Sequence, residues 1–351
     1  MIAVVLGNSA LNIGVASAVE LATAGHEVRV ALADLPARIS ITGGGSVALH
    51  PMAVESALDG ADFVIVDIPP RDLLRVLAPH LRSLARVPAV HVNSHGYWPA
   101  LRLGTAMRAA GISGFCITDA GAPTHAAAFD GQVVTPHARR SGLRVAAFPQ
   151  SRLPGALPLV QALAPDAMPA AHTIATGLEG INLIIHPALA LVNAGWFDRA
   201  EETSERLRFY NEGNTASAAA LAAALDAERG AICHAFSASH RPLPEMLSAL
   251  YGATGNNARE AVATTPFYRG LAPQDPSLWR RWLAQDVPFA LKPAAALAGL
   301  AGLSAPLHAG LASVFDAILG GTDAPLTLSD LGLDGLTVLQ ALHYVETGYC
   351  P

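Results

Sequence analysis

The residues whose type and spacing are best suited to chemistry lie in the second half of the chain. His186 stands within Gly180-Ile181-Asn182-Leu183-Ile184-Ile185-His186-Pro187-Ala188-Leu189-Ala190-Leu191-Val192-Asn193-Ala194, which is apolar on every side. It therefore reads as a buried helix whose polar members must find partners. Asn182 lies four residues before His186, on the same helical face. Pro187 lacks an N–H and clashes with the preceding turn, so a kink is expected beside the imidazole. A ring that titrates near neutrality is, in such a place, either a satisfied core residue or a group that moves protons. A second constellation, Trp279-Arg280-Arg281-Trp282-Leu283-Ala284-Gln285-Asp286-Val287-Pro288, places Arg281 five residues before Asp286. Val287-Pro288 is expected to end that helix at Asp286, where the negative end of the dipole makes a carboxylate want a cation nearby. An exposed ion pair is the plain reading of Arg281 and Asp286. In Phe209-Tyr210-Asn211-Glu212-Gly213-Asn214-Thr215 a turn glycine precedes Asn214 and Thr215. Both are candidate caps for the next helix, and both are placed to touch a substrate.

The first half offers a nucleotide turn. Ile2 to Leu6 is an apolar run broken at Gly7-Asn8-Ser9 and followed by an Ala-rich helical stretch from Ile13 to Ala24. Such a turn lets backbone N–H groups and a helix N-terminus meet a pyrophosphate. Counted back from Gly25, the three usual glycine positions fall on Ser9, Leu11 and Gly14, with Gly7 as an alternative first glycine. The acid expected to bind the ribose is displaced, since that position is Leu32, with Asp34 two residues later and Arg38 within reach of a 2′-phosphate. Gly7, Ser9, Gly14, Asp34 and Arg38 are the cofactor candidates, together with Pro69 and Asn93 at the ends of two later apolar runs. Weak dinucleotide binding without a strong preference for NAD over NADP is the expectation, Arg38 favouring NADP.

These elements need a frame, and the chain supplies two. With 351 residues it exceeds one ordinary domain of ~100-200 residues. Apolar runs at Ile2 to Leu6, His26 to Leu32, Ala61 to Ile68, Val87 to Asn93 and Gly111 to Thr118 alternate with helical stretches such as Arg71 to Leu84 and Pro99 to Ala110. That alternation argues for a doubly wound parallel sheet covered on both faces. Beyond the Pro/Gly-rich stretch 148–155 helical patterns take over, notably Ala175 to Ala194, Thr215 to Phe236 and Pro293 to Leu319. The expected architecture is α/β, with a nucleotide-binding domain over 1–152 and an all-helical domain over 153–351.

Composition narrows the function. Hydrophobic residues make up 52% and charged residues 14%, which excludes a chain disordered throughout. A net charge of -6, with no basic run longer than a pair such as Arg139-Arg140, gives no footprint for nucleic acid. Lys292 is the only lysine, so a Schiff base has a single candidate. Cys116, Cys233 and Cys350 form neither a disulfide framework nor a thiolate metal site and fit a reducing cytoplasm. The thirteen histidines come without H-E-x-x-H or an acidic cluster, so no metal site is assigned. Pro293 to Phe315 is the longest weakly charged stretch, but it is Ala- and Gly-rich and interrupted by Pro306, and it reads as a buried helical pair rather than a membrane span. The N-terminal run has no basic leader, so no export signal is expected.

In the second half Asn182-x-x-x-His186-Pro187, Tyr210-x-Glu212-Gly213-x-Thr215, Asp226-x-Glu228-Arg229, Tyr268-Arg269-Gly270, Arg281-x-x-x-x-Asp286-Val287 and Leu331-Gly332-Leu333 follow one another. In order and spacing they resemble the octopine/nopaline (opine) dehydrogenase family, in particular bacterial opine dehydrogenases of the N-(1-carboxyethyl)norvaline type. The resemblance implies a Rossmann-like first domain and a helical substrate domain. It implies an NAD(P)-dependent enzyme acting on CH–NH bonds, which condenses an amino acid or other amine with an α-keto acid and reduces the imine. It makes His186 the acid/base, Asp286 its carboxylate partner and Arg281 a carboxylate-binding arginine, with Asn182, Asn214 and Thr215 toward the substrate. A small-molecule amino acid and keto acid are then the partners, and a homodimer is an admissible assembly. The alternative is a relative without redox activity that performs non-redox condensation or ligand binding in the same cleft.

Overall fold

The computed structural model describes residues 1–7 and 12–350. By their internal contacts these fall into two units, Met1–Gly177 with Asp330–Gly332 and Leu339–Pro351, and Leu178–Ser329 with Leu333–Val338.

Unit 1 begins with β1 (Ile2–Leu6), α1 (Ile13–Thr23) and β2 (Glu27–Ala31), as the first apolar run, turn and Ala-rich stretch require. Then follow β3 (Arg38–Ile41), β4 (Ser46–Ala48), β5 (His50–Pro51), α2 (Val54–Leu58) and β6 (Phe63–Val66). Helices α3 (Leu73–Leu77) and α4 (Leu81–Leu84) stand where one helix from Arg71 to Leu84 was expected. A short 3-10 turn holding Pro79 separates them, because proline cannot continue the hydrogen-bond ladder. β7 (Ala89–Val92), α5 (Pro99–Ala109), β8 (Ile117–Ala120), β9 (His125–Phe129), β10 (Val133–Arg139), β11 (Arg144–Phe148), α6 (Leu153–Gln161), β12 (Met168–Pro169) and α7 (Thr173–Leu178) complete the main run.

The main sheet has the order β12-β11-β8-β7-β6-β1-β2-β5. Its central strands pair in parallel, and β6, which reads Phe63-Val64-Ile65-Val66, is buried at all four positions. Runs of this kind, apolar on both faces, are what a sheet covered on both sides demands, each buried side chain contributing ~1.5–3 kcal/mol. β1 lies between β2 and β6, so the chain reverses its direction of strand addition there, and the carboxyl ends of β1 and β6 form the switch point at which such sheets take ligands. Two features were not expected. β11 pairs antiparallel to β8, and a separate four-stranded sheet, β4-β3-β10-β9, forms from segments nearly a hundred residues apart. The expected boundary after residue 152 also falls inside this unit, since α6 lies against β11, and β12 pairs with it.

Tight packing joins the late segments of unit 1. Trp98 donates from Nε1 to the Ile174 carbonyl at 3.1 Å, and a Cβ on Gly177 would strike its indole at 2.1 Å, so only glycine lets that ring lie there. Tyr344 on α17 (Val338–Thr347) meets Thr105 on α5, hydroxyl to hydroxyl, at 3.0 Å.

Among the described residues unit 2 contains no strand, only α8 (Ile185–Glu202), α9 (Phe209–Glu212), α10 (Ala216–Ala235), α11 (Leu243–Tyr251), α12 (Ala258–Thr264), α13 (Pro266–Gly270), α14 (Leu278–Asp286), α15 (Lys292–Leu300) and α16 (Pro306–Leu319). The weakly charged stretch 293–315 is the expected helical pair, α15 and α16. Among the described residues no helix is long and apolar enough to cross a membrane.

Candidate active site

The segment around His186 is not one kinked helix. The chain leaves α7 at Leu178, passes through a 3-10 turn at Ile181–Leu183 and starts α8 at Ile185. Pro187 thus sits in the first turn of a new helix, where a missing N–H costs nothing because those N–H groups have no partner within the helix. Asn182 is on the preceding turn, off the helix that carries His186.

Asp286 also arrives differently from expectation. α14 ends there in α geometry, but the backbone runs on as a π turn over Val287–Leu291 and continues into α15. The wider turn accommodates Pro288, which has no N–H to offer, and leaves no free helix end at Asp286. The carboxylate therefore finds its cation-capable partner in His186 rather than Arg281.

The two side chains meet in the interior, His186 4% and Asp286 1% exposed. His186 Nδ1 lies 2.7 Å from Asp286 Oδ2. A carboxylate oxygen accepts, so Nδ1 carries the proton and donates it, and in the neutral ring Nε2 is left as the acceptor. Nε2 receives the Tyr210 hydroxyl at 2.8 Å. Trp282 stacks on the imidazole with centroids 4.6 Å apart and planes 12° apart, Phe209 presents its edge, and Tyr210 lies flat on Tyr268 at 4.0 Å. The result is an imidazole with a fixed tautomer, walled by aromatic rings and met at Nε2 by the Tyr210 hydroxyl, an arrangement that can accept a proton at Nε2 and have the resulting charge balanced by Asp286.

Asn193 builds the support. Two turns on from His186 along the same face of α8 and 7% exposed, it donates from Nδ2 to the carbonyls of Leu189 and Gly213, each at 2.8 Å. The second bond ties the end of α9, and with it Tyr210, to the helix that bears His186. Tyr210, Trp282, Tyr268 and Asn193 were not singled out as site residues, although the first three stand inside the quoted motifs and Asn193 falls seven residues after His186, the heptad spacing that returns to the same helical face.

The other expected substrate residues do not join this cluster. Arg281 is exposed and within electrostatic range of Asp275. Thr215 caps α10, its hydroxyl accepting from Ala218 N at 3.2 Å. Asn214 is buried and donates to the Arg259 carbonyl at 2.8 Å, while its Oδ1 has no partner among the described residues. The Asp226-x-Glu228-Arg229 motif is scaffold. Arg229, fully buried, binds Asp226 and the carbonyls of Leu178 and Arg241, and Glu228 accepts the Leu307 and His308 amides that open α16.

In unit 1, Gly7 and Pro69 flank the carboxyl ends of β1 and β6, and Gly14 is the second residue of α1. Ser9 lies outside the described residues. Asn93 is committed inward, its Oδ1 accepting both the amide and hydroxyl of Thr124 at 3.1 Å. Asp34 is exposed, and Arg38 stands on β3 in the second sheet with Nη1 on Ser46 Oγ at 2.9 Å. Among the described residues no cluster of three or more His, Cys, Asp or Glu side chains could hold a metal ion.

Residues 169–319 match the profile of the NAD/NADP octopine/nopaline dehydrogenase alpha-helical domain. That match falls on the helical half of the chain. A curated relative, the opine dehydrogenase of Arthrobacter sp. (strain 1C), is 30% identical over 218 residues, covering 61% of this chain and 58% of the relative. The match thus spans less than two thirds of that relative's length. Among solved structures, octopine dehydrogenase in complex with NADH and agmatine superposes with a TM-score of 0.73 at 16% identity, over 100% of this chain and 99% of that one. Yersinopine dehydrogenase with NADP+ bound gives 0.65 at 15% identity, over 98% and 97%. At these identities the likeness is one of fold, and it covers both the sheet unit and the helical unit.

Proposed function

We propose that the protein is an opine-dehydrogenase-like oxidoreductase that condenses an amino acid or other amine with an α-keto acid and reduces the resulting imine with NADH or NADPH. The observation that carries this reading is the buried His186–Asp286 pair, with Nε2 facing a hydroxyl, inside a helical domain of the octopine type.

A cofactor of this kind would sit at the strand-to-helix turn of unit 1. A Cβ on Gly7 would meet the Asp67 carbonyl oxygen at 2.8 Å, and one on Gly14 would meet the Gly7 carbonyl oxygen at 3.1 Å. The turn is thus closed to larger residues at both points and lies tight against the end of β6, at the switch point where such sheets take a dinucleotide. The frame fits. Gly7 and Gly14, with Ser9 on its sequence position, would hold the pyrophosphate, Asp34 and Arg38 the adenosine side, and Pro69 and Asn93 the nicotinamide side. When bound, the cofactor supplies the two-electron reduction of the imine carbon.

The chain's own residues supply the rest. His186 Nε2 takes the proton released as the amine attacks the keto carbon, and returns one to the oxygen that departs as water. Asp286 holds the Nδ1 proton in place through both transfers and balances the imidazolium. Trp282 and Phe209 keep water from the ring faces. Arg281 holds a substrate carboxylate in two-point geometry once the substrate draws it in, with Asn182, Asn214 and Thr215 lining the approach. Free cysteines, two of them buried, accord with a cytoplasmic enzyme, and light scattering tests a homodimer.

The test is a matrix of α-keto acids and amines screened for NADH and NADPH oxidation by the purified protein, and silence in every combination would overturn the reading. A second reading, a relative without redox activity, is favoured by one observation, a carboxylate at the start of α1.

A further inference from the structure

α1 has no cap of its own making. Asn12, at its N-cap, is left-handed with φ 54° and makes no capping hydrogen bond with its side chain. The Gly14 amide, one of the orphan donors of the first turn, instead gives its proton to Asp67 Oδ2 at 2.6 Å. Asp67 follows β6 directly, its own amide extending the ladder to the Leu6 carbonyl at 2.9 Å, and it is 1% exposed. Its position is therefore fixed by the sheet, and its carboxylate is a built part of the switch point.

The glycines of the turn close around this residue. A Cβ on Gly14 would lie 3.0 Å from both Asp67 Cβ and Oδ2, and one on Gly7 would lie 2.7 Å from Ile68 Cγ1 as well as against the Asp67 carbonyl. Gly14 is thus small in order to seat an aspartate. The carboxylate satisfies an orphan N–H and the positive end of the helix dipole, which are the same two things a pyrophosphate seeks at a helix N-terminus. A dinucleotide must bring its own negative charges to a place that already holds one.

We infer that Asp67 is a resident anion at the pyrophosphate seat, a specificity-determining residue that holds dinucleotide affinity down. The inference rests on the dinucleotide reading above. It ties the weak binding expected from the sequence to one side chain, whereas the sequence pointed to Ser9 and Leu11.

The test is direct binding, without turnover. NADPH, ADP-ribose and adenosine are titrated into wild type, Asp67→Asn and Asp67→Ala, each checked for native helix content by circular dichroism. Asparagine keeps the shape and an acceptor for Gly14, and alanine frees the amide. Ligands carrying the pyrophosphate should tighten by ~10-fold or more in both variants, while adenosine, which has no phosphate, should not change. Equal or weaker NADPH and ADP-ribose binding in folded variants overturns the inference, as does an equal gain for adenosine. A wild type that oxidises NADPH in the substrate matrix while the variants show no gain defeats this inference alone. Absence of dinucleotide binding in all three proteins defeats it together with the redox reading.

Discussion

Trp282 and Asp286 lie four residues apart on α14 and address the same imidazole, the indole stacking on the face of His186 at 4.6 Å and the carboxylate accepting from its edge at 2.7 Å. One helix face thus fixes the plane of the ring and its rotation within that plane. A histidine held at both face and edge cannot swing to a second rotamer without losing both contacts, which is the preorganisation a proton-transfer group requires.

Replacing that ring should therefore be costly to turnover and cheap in fold. His186→Ala is expected to keep its circular dichroism spectrum and cofactor affinity and to lose ~10²-fold or more in imine reduction. Unchanged turnover with normal cofactor affinity would remove His186 from the mechanism.

The carboxylate and the ring should act as one unit. In a cycle of Asp286→Asn, His186→Ala and the double variant, the losses in log rate should be strongly non-additive, because the carboxylate has nothing to orient once the ring is gone. Additive losses would place the function of Asp286 elsewhere.

Asn193 supplies a stability prediction. Asn193→Ala leaves the Gly213 carbonyl without its side-chain donor and should destabilise the fold by ~1–3 kcal/mol, read as a lower midpoint in urea at constant slope. Because the same bond ties Tyr210 to α8, turnover should fall in protein that is still folded, and a stability loss with full activity would mean that α9 is held by other contacts.

Arg38 is expected to favour NADP. Titration of NADH and NADPH into wild type and Arg38→Ala should show comparable affinities in wild type and a selective loss for NADPH in the variant. A strong preference of wild type for NADH would refute it.

Asp119 gives a pH dependence of stability. Burial pushes its carboxyl up to about 7, against the lowering effect of hydrogen bonds from Thr176 and the Ala100 amide. In the unfolded chain it titrates near 3.8, so between those values the folded state holds a proton that the unfolded state has lost. Stability should then fall as pH rises from about 4 to about 7 and level off above. Asp119→Asn should flatten that slope in melts across the range, and an equal slope in both proteins would exclude Asp119 as its source.

What could be read in the sequence follows the range of the interactions. β1, α1 and β2 were legible because an apolar run, a glycine turn and an Ala-rich period are local signals, and the His186–Asp286 pair was legible through motif order. The second sheet was not. β9 reads His125-Ala-Ala-Ala-Phe129 and β10 contains Pro136, so neither alternates cleanly, and the hairpin they form joins a larger sheet only where β10 meets β3 from far along the chain. The helix start at Ile185 was hidden because a proline in a first turn and a proline in a kink look alike without the hydrogen bonds. Asp67 did leave a trace, as an acid, the second after Asp62, in the apolar run from Ala61 to Ile68.

The π turn at Val287–Leu291 has a consequence for how this segment tolerates changes in length. A turn wound wider than an α-helix holds residues in excess, so removing one would let α14 and α15 rewind into a continuous α-helix. Each residue of an α-helix advances the side chains by about 100°, so rewinding the turn with all of its residues kept would turn one helix against the other by about that angle. Either Trp282 and Asp286 would face away from His186, or Ala294 and Leu297, now buried, would turn out of the core. The turn is a phase shifter between a face that does chemistry and a face that packs, and an amino-acid count that is right for one helix is wrong for the pair.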